Sequence, residues 1–253
     1  MEPQEYKTLF EFETSYWWYR GLNSILMNTL KRLGLGGASY VLDAGCGTGK
    51  NLQIIQKNIT SKGFGFDLSH HAAHYWPQRG LKHVCLGAIN DTPFRDAVFD
   101  AALCIDVLEH VREELEEQSY KELWRVIRPG GFIVLVLPAY PWLFDDKHHK
   151  AVRAFRRYTK KRLASLLRKA PVQVIRMTHL FPSLFPAIAA YRLLRRFFHN
   201  GQDGRPRSDL RTLPPLLNEM LFHIVNMERR LLDRVNFPFG SSILAVVQKH
   251  RSL

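Results

Sequence analysis

The chain reads as an α/β protein: a doubly wound, seven-stranded and mostly parallel sheet, with a helical insertion ahead of the last strand. Three observations predict it. Short apolar segments alternate with helical ones from residue 39 to residue 137, as parallel pairing requires, because each parallel strand needs its own crossover. The stretch VLDAGCGTGK, residues 41–50, sets a bare glycine loop between the first strand and the first helix of that series. Two further strand patterns, 172–177 and 241–248, flank a stretch of different character.

Taken in order, Tyr6 to Leu33 has helical spacing around an aromatic knot, Trp17-Trp18-Tyr19, and Gly34, Gly36 and Gly37 stop it. Strands are expected at 39–43, 63–67, 83–86, 99–105 and 132–137, with helices at 51–58, 69–79 and 112–127 between them. Pro129-Gly130-Gly131 closes the last of these helices. Beyond Pro138 a loop rich in aromatics and bases runs into a helix near Thr159, then a sixth strand at 172–177 and a seventh at 241–248. The insertion between them offers two apolar helices, 185–198 and 215–235, around the linker HNGQDGRPRSDLR. Its longest uncharged run, 177–191, falls short of the roughly 20 residues a membrane span needs. The second helix is amphipathic.

With 253 residues, 46% hydrophobic and 23% charged, the composition is that of a globular domain with a substantial core. Cys46, Cys85 and Cys104 follow no metal-ligand spacing, and the acidic start MEPQEYKTLFEFE lacks the apolar core of a signal peptide. Both favour a reduced, cytoplasmic setting. Charge divides the chain: residues 1–146 hold 14 Lys/Arg against 18 Asp/Glu, and residues 147–253 hold 22 against 5. Such a basic half suits a phosphate-bearing surface, nucleic acid or lipid headgroup.

The glycine loop narrows the ligand. Its spacing is GxGxG with Asp43 two residues before Gly45, not the GxGxxG of dinucleotide sites, and no GK[ST] closes a Walker loop. A carboxylate there repels pyrophosphate and welcomes a cation. S-adenosylmethionine, with an ammonium and a sulfonium, fits.

VLDAGCGTG resembles motif I of the class I S-adenosylmethionine-dependent methyltransferases, and the likeness continues in order through GFDLS, TPFRDAVFDAALCIDVLEHV and LWRVIRPGGFIVLVLP. The register resembles the subgroup called methyltransferase type 11, in particular bacterial members with a long basic and apolar C-terminal region. The resemblance implies a Rossmann-like sheet with one antiparallel strand. It also implies a helical lid at 1–38, a methyltransferase core at 39–179 with a basic substrate-side segment at 138–170, an insertion at 180–240, and the final strand at 241–253. S-adenosyl-L-methionine is the implied cofactor, held by Asp43, Ala44, Gly45, Cys46, Gly47, Gly49, Asp67, Leu68, Ala88, Ile89, Ile105 and Asp106. Asp67 would accept hydrogen bonds from the ribose hydroxyls. Family members often carry an acid where this chain has Ala88, so the adenine contact falls to backbone, Asn90 or Asp91.

Methyl transfer needs alignment and exclusion of water more than a fixed catalytic motif, so catalytic candidates are read more loosely. His110 ends DVLEH after the fourth strand. Its D-x-x-E-H spacing is similar to that of ubiquinone-biosynthesis O-methyltransferases, where the matching residues can hold a divalent metal, but no metal is expected here. His148, His149 and Tyr158 follow the fifth strand near the expected substrate mouth. Arg157 offers a forked contact to an anionic substrate, and Trp17, Trp18 and Tyr19 read first as a core-packing aromatic cluster, with a wall of the substrate pocket as the alternative.

The expected protein is a methyltransferase for a small-molecule or lipid- or glycan-linked acceptor, peripheral at the inner face of the membrane or paired as a homodimer through 180–240. RNA methylation and a non-catalytic binding subunit are the alternatives. Against nucleic acid as a partner, CIDVLEHV lacks the Asn/Asp-Pro-Pro-aromatic tetrad of exocyclic-amine methylases, and no appended RNA-binding module is evident.

Overall fold

The computed structural model describes residues 3–144, 153–198, 210 and 212–251. Seven strands form one sheet: β1 Val41–Ala44, β2 Gly63–Asp67, β3 Val84–Leu86, β4 Phe99–Ile105, β5 Ile127–Pro138, β6 Val172–Leu180 and β7 Ser242–Lys249. Their order is β3-β2-β1-β4-β5-β7-β6. β1 pairs in parallel with β2 on one side and β4 on the other, so the order reverses between β1 and β4, the switch point where open sheets take ligands. β7 runs antiparallel to both β5 and β6, which makes it the one reversed strand.

From Phe132 to Leu137 β5 is apolar throughout, because both its faces are covered there. Ile133, Leu135 and Leu137 pack in one layer with Leu42, Phe99, Tyr120 and Leu163. Val134 and Val136 alternate into the other, with Leu22, Ile25, Leu26 and Leu30. The first layer lies under α5, Glu113–Val126, and α6, Lys160–Leu167. The second lies under α2, Trp17–Arg32, and α8, Pro215–Leu232. α2 and α8 approach closely at Gly21, where a Cβ would stand 2.4 Å from Val225 Cγ1. The insertion between β6 and β7 is made of α7, Phe185–Phe198, and α8, and α8 is the part built onto the N-terminal helix layer.

Several expected elements differ. The single N-terminal helix divides into α1, Pro3–Phe12, and α2. The chain turns between them because the Glu13 carboxylate is taken by the Thr48 hydroxyl and the Arg79 guanidinium. The helix expected at 69–79 shrinks to α4, His70–Ala73, and a turn at Pro77–Arg79. There the Trp76 indole donates to Gly47 O at 2.9 Å and Arg79 Nε to Thr48 O at 3.0 Å. Tertiary hydrogen bonds outweigh helix propensity in both places. β5 also takes in Pro129-Gly130-Gly131 at its start, and β6 extends to Leu180.

Candidate active site

The glycine loop joins β1 to α3, Lys50–Asn58. Gly45, Gly47 and Gly49 all hold positive φ, at 76°, 54° and 86°, a region that a side chain enters at a cost of roughly 1–2 kcal/mol. At Gly45 a Cβ would also stand 2.6 Å from Val107 Cγ2, so the loop lies directly against the segment that follows β4. Gly45 and Cys46 both donate to Phe66 O at 2.9 Å. Burial pushes the Cys46 thiol well up, so it is a wall of the loop and no nucleophile.

Asp43 is buried, and its Oδ2 has no hydrogen-bond partner. Burial, reinforced by the charge on Asp67, pushes its carboxyl up to about 7. An orphan carboxylate oxygen beside a positive-φ glycine cradle asks for a cationic donor, which is the fit test for an ammonium-bearing cofactor. At the end of β2, Asp67 accepts from Gly47 N at 2.8 Å on one oxygen and from Ser69 N at 2.9 Å on the other. The Leu68 amide adds a third backbone hydrogen bond, which leaves the carboxylate lone-pair capacity for an outside donor. Leu68, next in sequence, is an apolar side chain 73% exposed beside it. The turn from Ala88 to Asp91 is tied in by Gly87 N on Asp67 O at 3.0 Å and by Gln118 on Asn90 O, with Ile89 buried in it.

α1 closes over this loop. Leu9 Cδ2 comes within 3.6 Å of the position a Gly47 Cβ would take. Tyr6, hydrogen-bonded to Ser69, has its phenol pushed up by burial. Glu13 is raised by burial as well, while Arg79 and Thr48 draw it down. None of these contacts has a local signal: an acid amid aromatics does not announce a partner 35 or 66 residues away.

At the end of β4, Ile105 leads into Asp106, whose φ is +51° and whose amide donates to Val136 O at 2.9 Å. The Asp106 and Glu109 carboxyls are hydrogen-bonded to each other. Glu109 is 4% exposed with an unpartnered Oε2, and burial followed by the Asp106 charge pushes it well up. From α2, the Tyr19 phenol lies in the electrostatic field of Glu13 and Asp106 and is itself raised by burial. His110 Nδ1 lies 3.2 Å from Arg153 O.

The structure corrects several expectations. Tyr158 is fully buried with its hydroxyl on Glu116, inside the core and out of reach of any acceptor. Arg157 is buried too: its Nε donates to Ala139 O at 2.6 Å and its Nη2 to Ser241 O at 3.2 Å. Those carbonyls occupy the fork meant for a substrate anion, and the guanidinium faces Asp106 and Glu109. Trp17 packs edge-on against Phe181 in the α2–α8 layer, the core packing already favoured for this cluster, and Trp18 leans on the same ring. His148 and His149 lie outside the described residues. Among the described residues no group of three His, Cys, Asp or Glu side chains is arranged to hold a metal ion.

A family model described as a methyltransferase domain matches residues 42–135. The tRNA (carboxymethyluridine(34)-5-O)-methyltransferase of Arabidopsis thaliana is 36% identical over 104 residues, 41% of this chain and 25% of that protein. The sterol 24-C-methyltransferase of Aspergillus fumigatus is 31% identical over 124 residues, 46% of this chain and 31% of that one. The chain therefore spans only about a quarter to a third of the length of these relatives. In the solved complex of the Haloferax volcanii Trm112 methyltransferase activator with a methyltransferase, the fold is shared at a TM-score of 0.62 and 16% identity, over 98% of this chain and 95% of that chain. Residues 42–135 thus match a methyltransferase-domain model, within a chain whose fold is that of the solved methyltransferase structure. Relatives acting on tRNA and on sterols leave the sequence-based exclusion of nucleic acid without support.

Proposed function

We propose that the protein transfers a methyl group from S-adenosylmethionine to an amphiphilic acceptor, a small or lipid-linked molecule met at an anionic membrane surface. The observation that carries the cofactor is the β1 loop: the orphan Asp43 oxygen, the Gly45–Gly49 cradle and Asp67, all under α1. Asp43 would meet the ammonium, Asp67 the ribose hydroxyls, and Leu68 with Ile89 the adenine faces. Bound there, S-adenosylmethionine would supply the methyl group, with neutral thioether as leaving group. The chain's own residues orient it, and α1 excludes water.

The membrane side rests on α8. One face, with Val225 and Leu232, packs against α2, while Leu216, Met220, Met227 and Leu231 form an exposed stripe on the other. Arg229, Arg230 and Arg234 lie alongside in sequence, the composition of a helix resting in an anionic interface. No helix among the described residues is long and apolar enough to cross a membrane.

Calorimetric titration of S-adenosylhomocysteine tests the cofactor, and flotation with vesicles of stated charge tests the surface. No binding, or no preference for anionic vesicles, overturns the respective half. RNA is the second reading, favoured by the tRNA-modifying relative and by 22 basic against 5 acidic residues beyond residue 146. Salt-dependent retention of RNA would favour it over the lipid-linked acceptor.

A further inference from the structure

Asp106 and the buried Glu109 form a carboxyl pair beside the buried guanidinium of Arg157. Asp106 takes a left-handed backbone, and Glu109 keeps an unpartnered, buried Oε2. The pair stands at the carboxyl end of β4. Asp67 stands at the carboxyl end of β2, with β1 between them. Two strand spacings separate these ends, about 10 Å. A cofactor whose ribose meets Asp67 and whose amino acid lies on the glycine loop brings its sulfur to the β1–β4 junction. The same junction is where Val107 closes on Gly45.

This inference rests on the cofactor reading above. We propose that Asp106 reads the charge on the cofactor's sulfur, favouring the sulfonium of S-adenosylmethionine over the thioether of S-adenosylhomocysteine, so that loss of the methyl group loosens the product. Glu109 positions the carboxylate from its own turn. Arg157 faces both groups from the segment beyond β5 but is held on the carbonyls of Ala139 and Ser241. Tyr19 from α2 and Cys104 within β4 complete the titratable surroundings of Asp106, and Arg156 adds its charge at Glu109.

Burial pushes the Asp106 carboxyl up to about 7, against the pull of Arg157 and the hydrogen bond with Glu109. Below that pH the Asp106 carboxyl is neutral and Arg157 leaves the cluster more positive, which repels a sulfonium. Above it the Asp106 carboxylate cancels that charge. Preference for the sulfonium therefore grows with pH, and its binding near neutrality releases a proton that thioether binding does not. Asp43, placed for the ammonium that both ligands share, cancels in the ratio of the two affinities.

The test is calorimetric titration of the whole chain with S-adenosylmethionine and with S-adenosylhomocysteine from about pH 5 to about 7, where α-amino groups with pKa values of about 7.7–8.0 stay largely protonated. The wild-type affinity ratio should rise on the order of tenfold across that range. Asp106→Asn should hold the ratio flat, while Asp43→Asn weakens both ligands and keeps the slope. Thermal unfolding of each variant confirms that it is folded, and the wild-type ratio decides the matter even if Asp106→Asn is not. A flat wild-type ratio with both ligands bound overturns the role of Asp106 and leaves the cofactor reading standing. A slope lost in Asp43→Asn but kept in Asp106→Asn overturns the assignment too. Failure of either ligand to bind at any pH overturns the cofactor reading along with it.

Discussion

The two ends of the second helical layer treat exposed and buried chemistry in opposite ways. At the β1–β2–β4 edge, Asp43, Glu13 and Glu109 are buried carboxyls, and two of them keep an oxygen without a partner. On α8, Leu216 is 84% exposed and Met220, Met227 and Leu231 share its face. One region hides charge and the other shows grease. Each arrangement is costly in isolation, so each points to something the chain meets: a cationic small molecule in the first region, an apolar surface in the second.

Removing the Asp67 carboxyl should do the most to break the first region. Asp67→Ala loses the ribose contact and also frees the Gly47 amide. Charge-assisted hydrogen bonds at about 1.5–3 kcal/mol each place the loss in S-adenosylhomocysteine affinity near 100-fold or beyond by calorimetry. Next comes the pH dependence of apo stability. The folded carboxyl of Asp43 lies near 7, above an unfolded value of about 3.9. Its contribution is therefore complete at pH values below the unfolded one and is lost as pH rises toward 7. Asp43→Asn should raise the thermal midpoint at pH 8 more than at pH 5, with a ceiling of about 4 kcal/mol. An equal effect at both pH values would show that Asp43 ionises without penalty.

Gly21→Ala sharpens the comparison from the side of the insertion. The added methyl meets Val225, and overpacking of about 1–3 kcal/mol exceeds the helix-propensity gain of up to about 1 kcal/mol. A lower unfolding midpoint with unchanged cofactor affinity would show that α8 is anchored independently of the site. The smallest stability effect belongs to Leu216→Ser, Met220→Ser and Leu231→Ser, each within about 0.5 kcal/mol because the side chains are already in water. Flotation with anionic vesicles should nonetheless fall sharply in the triple variant. Undiminished flotation would remove the stripe from any membrane role.

How much of this was legible depends on the range of the interactions. β2 and β4 are found where periodicity and turn residues place them, and α7 spans its expected residues. Lys160–Leu167 begins at the Thr159 cap, whose hydroxyl accepts from Arg162 N at 3.1 Å. The spacing of the N-terminal segment reads as one continuous helix because its break is made by Thr48 and Arg79, far along the chain. Tyr158 and Arg157 read as surface residues of a basic stretch, yet both are buried by packing against β5 and β7.

By itself the sequence determined the alternation of strands and helices, the cation-seeking order of Asp43 and the glycines, Asp67 at the end of the next strand, and the concentration of positive charge beyond residue 146. These are properties of neighbouring residues, whose steric limits and hydrophobic periods act within a few positions. Only the tertiary structure decided which carboxyls would be buried together, that Arg157 would face Asp106 instead of solvent, and that α8 would spend one apolar face on α2 and leave another bare. Burial and electrostatic fields are sums over whatever packs nearby, and what packs nearby is set by segments distant in sequence.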